Sequence, residues 1–220
     1  MRERKHKHKR KYNSMLHKKY RYILDLLPEN LDGHRILDCG MGEGYNAYLI
    51  RTVLKGSPYI EGFDIFEPFV DIQNKLGLYD YVYCDDIMNV VKRMKEKFDF
   101  ILITAVIEHL HKEDSIFVLK KLKENTKKRL IVSTPFNEKL IKRQKLYQDN
   151  PYNEHISQWK EIDLNRLDFK TFTYDLRTVT TSIKILDNIR RFITLKGESG
   201  HGIIAWFDGE DLKYHDASTN

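Results

Sequence analysis

The stretch RILDCGMGEG at residues 35–44 decides the fold of this chain. An apolar run ends in an acid, Asp38, and three glycines follow at a spacing of two: Gly40, Gly42 and Gly44. A strand, a glycine turn and a helix N-terminus let the backbone approach a ligand closely, because glycine has no Cβ to clash. The spacing differs from the G-x-G-x-x-G of dinucleotide-binding loops, so the stretch indicates a ligand site of another kind.

The bulk composition fits a single globular α/β domain. The chain has 220 residues, 41% of them hydrophobic and 12% aromatic, which is enough for a sizeable core. No apolar run approaches the ~20 residues that span a bilayer, and the first residues lack the apolar region of a secretory signal. Cys39 and Cys84 fall at predicted strand ends, where we expect small buried thiols. A reducing, cytoplasmic compartment is the simplest expectation.

The positive charge is concentrated in an N-terminal arm. Residues 1–22 hold ten of the 38 Lys and Arg residues and one of the 32 acids, a balance of +9. The rest of the chain holds 28 basic and 31 acidic residues, a balance of −3. Such an arm attracts nucleic acid or another anionic surface. The alternative is a solvated, frayed terminus or the start of a helix with a charged face, and these interpretations stay open.

Strand and helix patterns alternate along the chain. Apolar runs predict strands at 35–39, 59–65, 81–86, 98–104, 129–134, 169–175 and 201–208. Helices are predicted at about 14–27, 44–55, 67–76, 88–96, 113–125 and 182–195, with Ile116, Phe117, Leu119 and Leu122 facing inward and Pro135 ending the fifth strand. The alternation predicts a doubly wound, mostly parallel α/β sheet. We expect one domain at 14–210, preceded by the arm and followed by a frayed tail at 211–220.

Polar residues gather at the carboxyl ends of the predicted strands. They are Asp38–Gly44, Asp64, Asp85–Asp86 and Thr104–His109. Open parallel sheets bind ligands at that edge, so these groups predict one shared site.

The order of these motifs resembles the class I S-adenosylmethionine (SAM)-dependent methyltransferases of the Rossmann-like superfamily. Asp-x-Gly-x-Gly-x-Gly at 38–44 is similar to their first motif. The later motifs of these enzymes have similar counterparts in this chain, in the same order: GFDI (62–65), CDDI (84–87), FDFILITAVIEHL (98–110) and VSTPFN (132–137). Residues 149–169 resemble a segment of members whose substrate is unassigned, with Asp168 where a glycine is usual. The resemblance implies a seven-stranded, mostly parallel sheet whose last strand is antiparallel.

The resemblance also implies a SAM site, with S-adenosylhomocysteine (SAH) as product. Asp38 would orient the methionine amino group, Asp64 would accept from the ribose hydroxyls and Asp86 would read the adenine. The implied cofactor-binding set is Asp38, Gly40, Gly42, Gly44, Asp64, Ile65, Asp86, Ile87 and Thr104. A sulfonium, an amino group and a diol suit these acids, whereas a pyrophosphate does not.

The candidate catalytic residues are His109, His155 and Glu108, with His111 as a weaker candidate. Because the methyl group of SAM is already activated, the protein mainly positions the acceptor. A neutral nucleophile also needs a base, and histidine titrates near neutrality. The structural alternatives are a helix-capping or loop-holding Glu108 and a His155 bonded to the backbone.

No metal is expected from the sequence. A subset of the superfamily binds a metal through Glu-x-x-Glu-His, and Ala105 stands here in place of the first glutamate. Coordination by Glu108, His109 and a distant histidine stays an alternative. The Asn/Asp-Pro-Pro motif of enzymes that methylate exocyclic base amines is also missing after the fourth predicted strand.

The leading hypothesis is methyl transfer from SAM to an unidentified acceptor. One alternative is an RNA-binding protein, or an RNA methyltransferase, that docks through residues 1–22. Another is a catalytically silent SAM-binding subunit. The sequence indicates no oligomeric state.

Overall fold

The computed structural model describes residues 18–136, 150–175 and 201–212. In this part of the chain, seven strands form one sheet in the order β3-β2-β1-β4-β5-β7-β6. They are β1 (Arg35–Cys39), β2 (Tyr59–Asp64), β3 (Tyr81–Cys84), β4 (Phe98–Thr104), β5 (Thr126–Phe136), β6 (Lys170–Asp175) and β7 (His201–Asp208).

The pairing confirms the predicted sheet. Strand β1 runs parallel to β2 and β4, and the pairs β2–β3 and β4–β5 are also parallel. Strand β7 runs antiparallel to both β5 and β6. The strand order reverses direction between β1 and β4, which is where an open α/β sheet forms a ligand crevice at its carboxyl edge.

Helices precede and connect the strands. They are α1 (Lys18–Asp25), α2 (Tyr45–Val53), α3 (Glu67–Leu76), α4 (Ile87–Arg93), α5 (Lys112–Glu124) and α6 (Glu161–Asn165), with a 3₁₀ turn at Ile107–His109. None of the described helices is long and apolar enough to cross a membrane. The predicted helix at 182–195, most of the basic arm and most of the tail lie outside the described residues.

The core has two apolar clusters, one on each face of the sheet. Ile36 belongs to one cluster and Leu37 to the other, because successive strand residues point to opposite faces. Helices α1, α2 and α3 cover the face of Ile36, and α4, α5 and α6 cover the face of Leu37. The two-sided burial explains why β4 reads as an almost continuous apolar run.

The inward face of helix α5 differs from the prediction at one of the four predicted residues. Phe117 was expected to face inward but is 37% exposed, whereas Val118 is fully buried. Leu119 and Leu122 are buried as predicted, and Ile116 is half-buried. The inward stripe includes the small polar Ser115, whose hydroxyl donates to the carbonyls of Ile107 and His111, so apolarity alone misplaced the stripe.

Strand β5 continues past the proline that was predicted to end it. Pro135 pairs with Gly202 in β7, whereas the register between β4 and β5 ends at Thr104 and Ser133. Beyond that point β5 has a neighbour on one side, so the missing N–H of proline breaks no ladder bond with β4.

The prediction for Cys84 is also wrong. Its side chain was expected to be buried, but it is exposed at the end of the edge strand β3.

Asp168 takes the backbone conformation of the glycine that it replaces. Its φ is 61°, in the left-handed region that favours glycine and, next to it, Asn and Asp. The Phe169 N–H donates to the Leu164 carbonyl (3.1 Å) across this turn. Asp168 therefore ends α6 in a conformation that glycine adopts more easily.

Candidate active site

A cavity of about 540 Å³ lies at the carboxyl ends of β1, β2, β3 and β4. Its size is in the range of small-molecule and cofactor sites. Seven of the nine predicted cofactor residues line it: Gly40, Gly42, Asp64, Ile65, Asp86, Ile87 and Thr104. Asp38 and Gly44 do not line the cavity. Each is next to a residue that does: Asp38 accepts a hydrogen bond from Asn46, and Gly44 precedes Tyr45.

The backbone N–H groups of the glycine loop are used within the protein. Gly40 and Met41 donate to the Phe63 carbonyl at 2.9 and 3.0 Å, and Gly44 donates to the Met41 carbonyl at 2.9 Å. Gly42 donates to Asp64 Oδ2 at 2.9 Å. These four amides therefore form no anion-binding nest of the kind that holds phosphate groups.

Each of the three glycines has a positive φ, between 51° and 76°. A Cβ at Gly40 would collide with Val106, and one at Gly44 would collide with the Gln73 side chain. A Cβ at Gly42 would meet nothing within 4 Å. Gly42 thus differs from the other two, since it lines the cavity and a Cβ there would meet open space instead of a packed neighbour.

Asp38 is a buried carboxylate behind the cavity wall, only 1% exposed. It accepts hydrogen bonds from Asn46 Nδ2 (2.9 Å) and from the Tyr79 hydroxyl (2.7 Å). Burial raises the pKa of Asp38 to about 6, and the two hydrogen bonds oppose that rise. Asn46 lines the cavity and also donates to Thr104 Oγ1 (3.0 Å), so it connects Asp38 to the site.

Asp64 ends β2 with both carboxylate oxygens engaged. Oδ1 accepts from the Phe66 N–H and Oδ2 from the Gly42 N–H, each at 2.9 Å. Burial raises the pKa of Asp64, and these backbone bonds counteract the rise. A carboxylate oxygen accepts more than one hydrogen bond, so Asp64 still has capacity for a ligand diol.

Two acids follow β3, and they have different roles. Asp86 caps α4 by accepting from the Met88 N–H (2.7 Å), as N-terminal caps do. Asp85 accepts from the Asp86 N–H (2.7 Å) and forms an ion pair with Arg93. Both line the cavity, with Asp85 tied to α4 by its partners.

The three catalytic candidates meet at the 3₁₀ turn after β4. One ligand atom from each of Glu108, His109 and His155 lies within 4.8 Å of the others, and the two imidazole rings are 4.9 Å apart. His109 lines the cavity, whereas Glu108 and His155 adjoin it without lining it. The weaker candidate, His111, is exposed before α5 and is not part of the lining.

The polar atoms of this cluster are unevenly satisfied. Glu108 is 2% exposed; Oε2 accepts from the Thr134 hydroxyl (3.0 Å), and Oε1 has no partner. His109 Nδ1 lies 3.0 Å from the Glu154 carbonyl, which only accepts, so Nδ1 carries a proton, and in the neutral ring Nε2 has the lone pair. Burial raises the pKa of Glu108 and, together with His109, lowers that of His155 to about 4.

A single carbonyl anchors the segment that carries His155. Ile107 O accepts from the hydroxyls of Ser115 and Ser157, both at 2.9 Å, and from Trp159 Nε1 at 3.3 Å. The N–H groups of Ile156 and Ser157 donate to the Glu108 carbonyl. These contacts fix the segment against the 3₁₀ turn, and Trp159 belongs to the core.

Aromatic residues form another part of the cavity wall. Tyr20 from α1 stacks on Tyr45 at the start of α2, with ring centroids 5.0 Å apart. Lys19, Phe69 and Tyr152 also line the cavity. Tyr22 instead packs against Phe172 and Tyr174 of β6.

Sequence reasoning missed the residues that support the site from a distance. Asn46 had one signal, a polar position in the first turn of α2 directly after the glycines. Tyr79 and Gln73 had none, because Tyr79 reaches Asp38 across 41 residues and Gln73 reaches the Gly42 carbonyl across 31 residues. Contacts of that separation leave no local pattern.

The fold is that of the class I methyltransferases. Magnesium protoporphyrin IX methyltransferase from Synechocystis, solved with bound SAM, matches with a TM-score of 0.51 and 18% identity, over 82% of this chain and 72% of that one. A SAM-dependent methyltransferase from Archaeoglobus fulgidus gives 0.53 and 17%, over 86% and 91%. The N-methyltransferase NodS from Bradyrhizobium japonicum gives 0.54 and 11%, over 87% and 94%.

Residues 6–171 match the sequence profile of the "Methyltransferase domain" family, so the chain belongs to that family. It is therefore an enzyme of the methyltransferase class. No curated protein sequence matches the chain significantly.

Proposed function

We propose that this enzyme binds SAM in the cavity at the carboxyl ends of β1 to β4 and transfers its methyl group to an acceptor next to His109. The observation that carries this proposal is the chemistry of the wall. Asp64 and Asp86 line the cavity, Asp38 lies directly behind it, and the glycine-loop amides are already engaged. Such a wall suits a sulfonium, an ammonium and a ribose diol, and it disfavours a pyrophosphate.

Each part of the donor has a group suited to it. Asp64 has two oxygens for the two ribose hydroxyls. Asp86 and the N–H of Ile87 suit the adenine edge, since Ile87 opens α4 and its N–H has no intrahelical acceptor. Asp38, acting through Asn46 near Thr104, suits the methionine amino group.

His109 is the group best suited to assist the acceptor. It lines the cavity, and its Nε2 lone pair is available because Nδ1 donates to the Glu154 carbonyl. An acceptor whose nucleophile is neutral would give its proton to this nitrogen as the methyl group is transferred. Glu108 and His155 adjoin His109 and set its surroundings. A reducing, cytoplasmic setting stays part of the proposal and agrees with the free thiols of Cys39 and Cys84.

The proposal is tested by SAH calorimetry on Gly42→Val. The new side chain enters the cavity, so we expect SAH affinity to fall at least about a hundredfold. Gly33→Val is the matched control, because Gly33 also has a positive φ (71°) and open space at its Cβ but does not line the cavity. Both variants carry a left-handed strain of about 1–2 kcal/mol. Equal SAH affinity in the two variants, both shown to be folded, would contradict the proposed site.

The second candidate function is methylation of RNA, with RNA as the acceptor. The observation that favours it is the balance of +9 over residues 1–22, next to a body of balance −3. A basic arm of this kind gives a phosphate backbone a docking surface. The arm includes the start of α1, where Lys19 and Tyr20 line the cavity.

A further inference from the structure

The cluster at Glu108, His109 and His155 carries one feature that the proposed methyl transfer does not use. Glu108 Oε1 is a buried carboxylate oxygen with no hydrogen-bond partner, in a side chain that is 2% exposed. An unpaired buried carboxylate oxygen is costly, because desolvation weakens the charge without compensation. Such an atom calls for an explanation by an absent partner.

The neighbours of Glu108 are lone-pair donors, which suit a cation as that partner. One nitrogen of His109 and one of His155 lie within 4.8 Å of each other and of a Glu108 oxygen. The ring of His155 has no hydrogen-bond partner within the described ranges. Three such atoms at this mutual spacing can coordinate one ion.

The surroundings orient two of the three ligands. His109 Nδ1 donates to the Glu154 carbonyl, which leaves Nε2 as a lone-pair donor. Glu108 Oε2 accepts from Thr134, which fixes the carboxylate. A backbone carbonyl on the far nitrogen of a histidine and a hydroxyl on a carboxylate are the usual second-shell supports of metal ligands.

We infer that Glu108, His109 and His155 bind one divalent transition-metal cation at the wall of the cavity. Two imidazoles and one carboxylate favour zinc, cobalt, nickel or iron over magnesium, which prefers an all-oxygen octahedron. Three protein ligands leave coordination positions for water or for an acceptor atom. The sequence predicted no metal because Ala105 replaces the first glutamate of a four-ligand pattern.

The inference deepens the proposed function without depending on it. With the cation bound, His109 Nε2 would be a ligand and no longer a base. The cation would instead lower the pKa of an acceptor oxygen or nitrogen that it contacts, so that the acceptor loses its proton to water before methylation. The cavity wall at His109 is the place where the proposed function puts that acceptor. Metal binding and SAH binding use different residues, so each is measured in the absence of the other ligand.

The experiment is a Co²⁺ titration of the metal-free protein of 220 residues, followed by visible absorption and by Zn²⁺ competition. All proteins carry His6→Asn and His8→Asn, because the alternating histidines of the arm can bind metal adventitiously. Glu108→Gln and His155→Phe each remove one ligand, and His111→Asn is the matched control, an exposed histidine of the same region outside the cluster. Thermal melting verifies that each variant folds.

We expect one saturable equivalent of Co²⁺ in the parent and in His111→Asn. Glu108→Gln and His155→Phe should each weaken Co²⁺ binding at least about tenfold. Equal Co²⁺ affinity in all four proteins, or no saturable binding up to millimolar Co²⁺, would overturn the inference. If Glu108→Gln does not fold, His155→Phe decides. No saturable Co²⁺ binding in the parent with normal SAH calorimetry refutes the metal site alone, and normal Co²⁺ binding in the parent without SAH binding refutes the SAM site alone.

Discussion

At Asp38, burial and hydrogen bonding act in opposite directions. The carboxylate is nearly inaccessible, and its pKa is raised to about 6 by that burial despite donors from Asn46 and Tyr79. Asp64 raises the pKa further and Lys19 lowers it. A ligand ammonium near this group would provide the missing positive charge. The residue is thus suited to binding a cation and unfavourable for the stability of the empty protein.

This balance predicts a pH-dependent affinity for SAH. With a pKa of about 6 in the empty protein and a lower one beside the SAH ammonium, Asp38 must lose a proton for SAH to bind below pH 6. We expect SAH affinity to be constant above pH 7 and to fall by up to about tenfold per pH unit below pH 6. Calorimetry between pH 5 and pH 8 measures this dependence.

Asp38→Asn is the control for the pH dependence. It should weaken SAH binding at pH 7.5 and remove most of the slope below pH 6. In the unfolded chain Asp38 keeps its ordinary pKa, so ionisation costs the empty folded protein stability above about pH 6, and the cost disappears as the pH falls towards 4. The variant should therefore gain stability at pH 7.5. An unchanged slope in Asp38→Asn would assign the pH dependence to another group.

The acids of the site could be predicted from sequence because each ends an apolar run. Asp38 and Asp64 lie at the ends of β1 and β2, and Asp86 comes shortly after β3. The pattern of each strand is local, and the parallel sheet brings the strand ends to one edge. Tyr79 and Gln73 could not be predicted, since their contacts depend on how α3 and the following turn pack against the glycine loop. The cluster at His109 was predicted only as separate candidates, because the path of residues 150–156 is a tertiary feature.

At the scale of elements, the 3₁₀ turn after β4 organises its surroundings through backbone carbonyls. Ile107 O accepts three side-chain donors, and the Glu108 carbonyl accepts two backbone N–H groups. Lys112 lies over the Trp159 ring at 3.5 Å and forms an ion pair with Asp163 of α6. The long connection to β6 is therefore attached to the sheet before α6 begins.

Truncation of Trp159 should destabilise the protein strongly. The indole is 1% exposed and lies in the core cluster of α5 and α6. Trp159→Ala should lower the free energy of unfolding by about 3–5 kcal/mol, because it leaves a cavity. Trp159→Phe keeps most of the packing and loses the bond to Ile107, so its cost should be about 1–2 kcal/mol. Urea denaturation measures both.

Ile162→Ala is the control for these variants. It truncates a large apolar residue of α6 that is 52% exposed, so its cost should stay within about 0.5 kcal/mol. A cost for Trp159→Ala as small as that of Ile162→Ala would mean that the segment from His155 to α6 is not attached through the indole.

The errors at the element scale have a common origin. Helix α5 was placed by apolarity, yet Ser115 turns inward because its hydroxyl finds the Ile107 and His111 carbonyls. Strand β5 was predicted to end at Pro135. Because β4 has already ended at Thr104, the proline removes no hydrogen bond between β5 and β4. In both cases a residue of another element contributes, Ile107 for Ser115 and Thr104 for Pro135, and a local pattern does not contain it.

At the scale of the whole molecule, charge is divided between the arm and the body. The arm contains ten basic residues and one acidic residue, whereas the rest of the chain has a small excess of acidic residues. Around the cavity, Glu43, Asp64, Asp85, Asp86 and Glu154 give the wall a negative character, with Lys19 as a basic contribution. A polyanionic acceptor would thus contact the arm more favourably than the cavity wall, and only its reacting group would enter the cavity.

This division predicts how an RNA acceptor would bind. A fluorescent single-stranded RNA should bind with an affinity that falls steeply with salt, since each phosphate contact adds about −0.7 to the slope of log K against log salt. Deleting residues 1–11 removes seven of the ten basic residues of the arm and should abolish RNA binding while SAH affinity stays unchanged. Fluorescence anisotropy between 50 and 300 mM salt measures the RNA affinity. RNA affinity that is undetectable in 50 mM salt, or that survives the deletion, would refute docking through the arm, and the acceptor would then be sought among molecules small enough to enter the cavity.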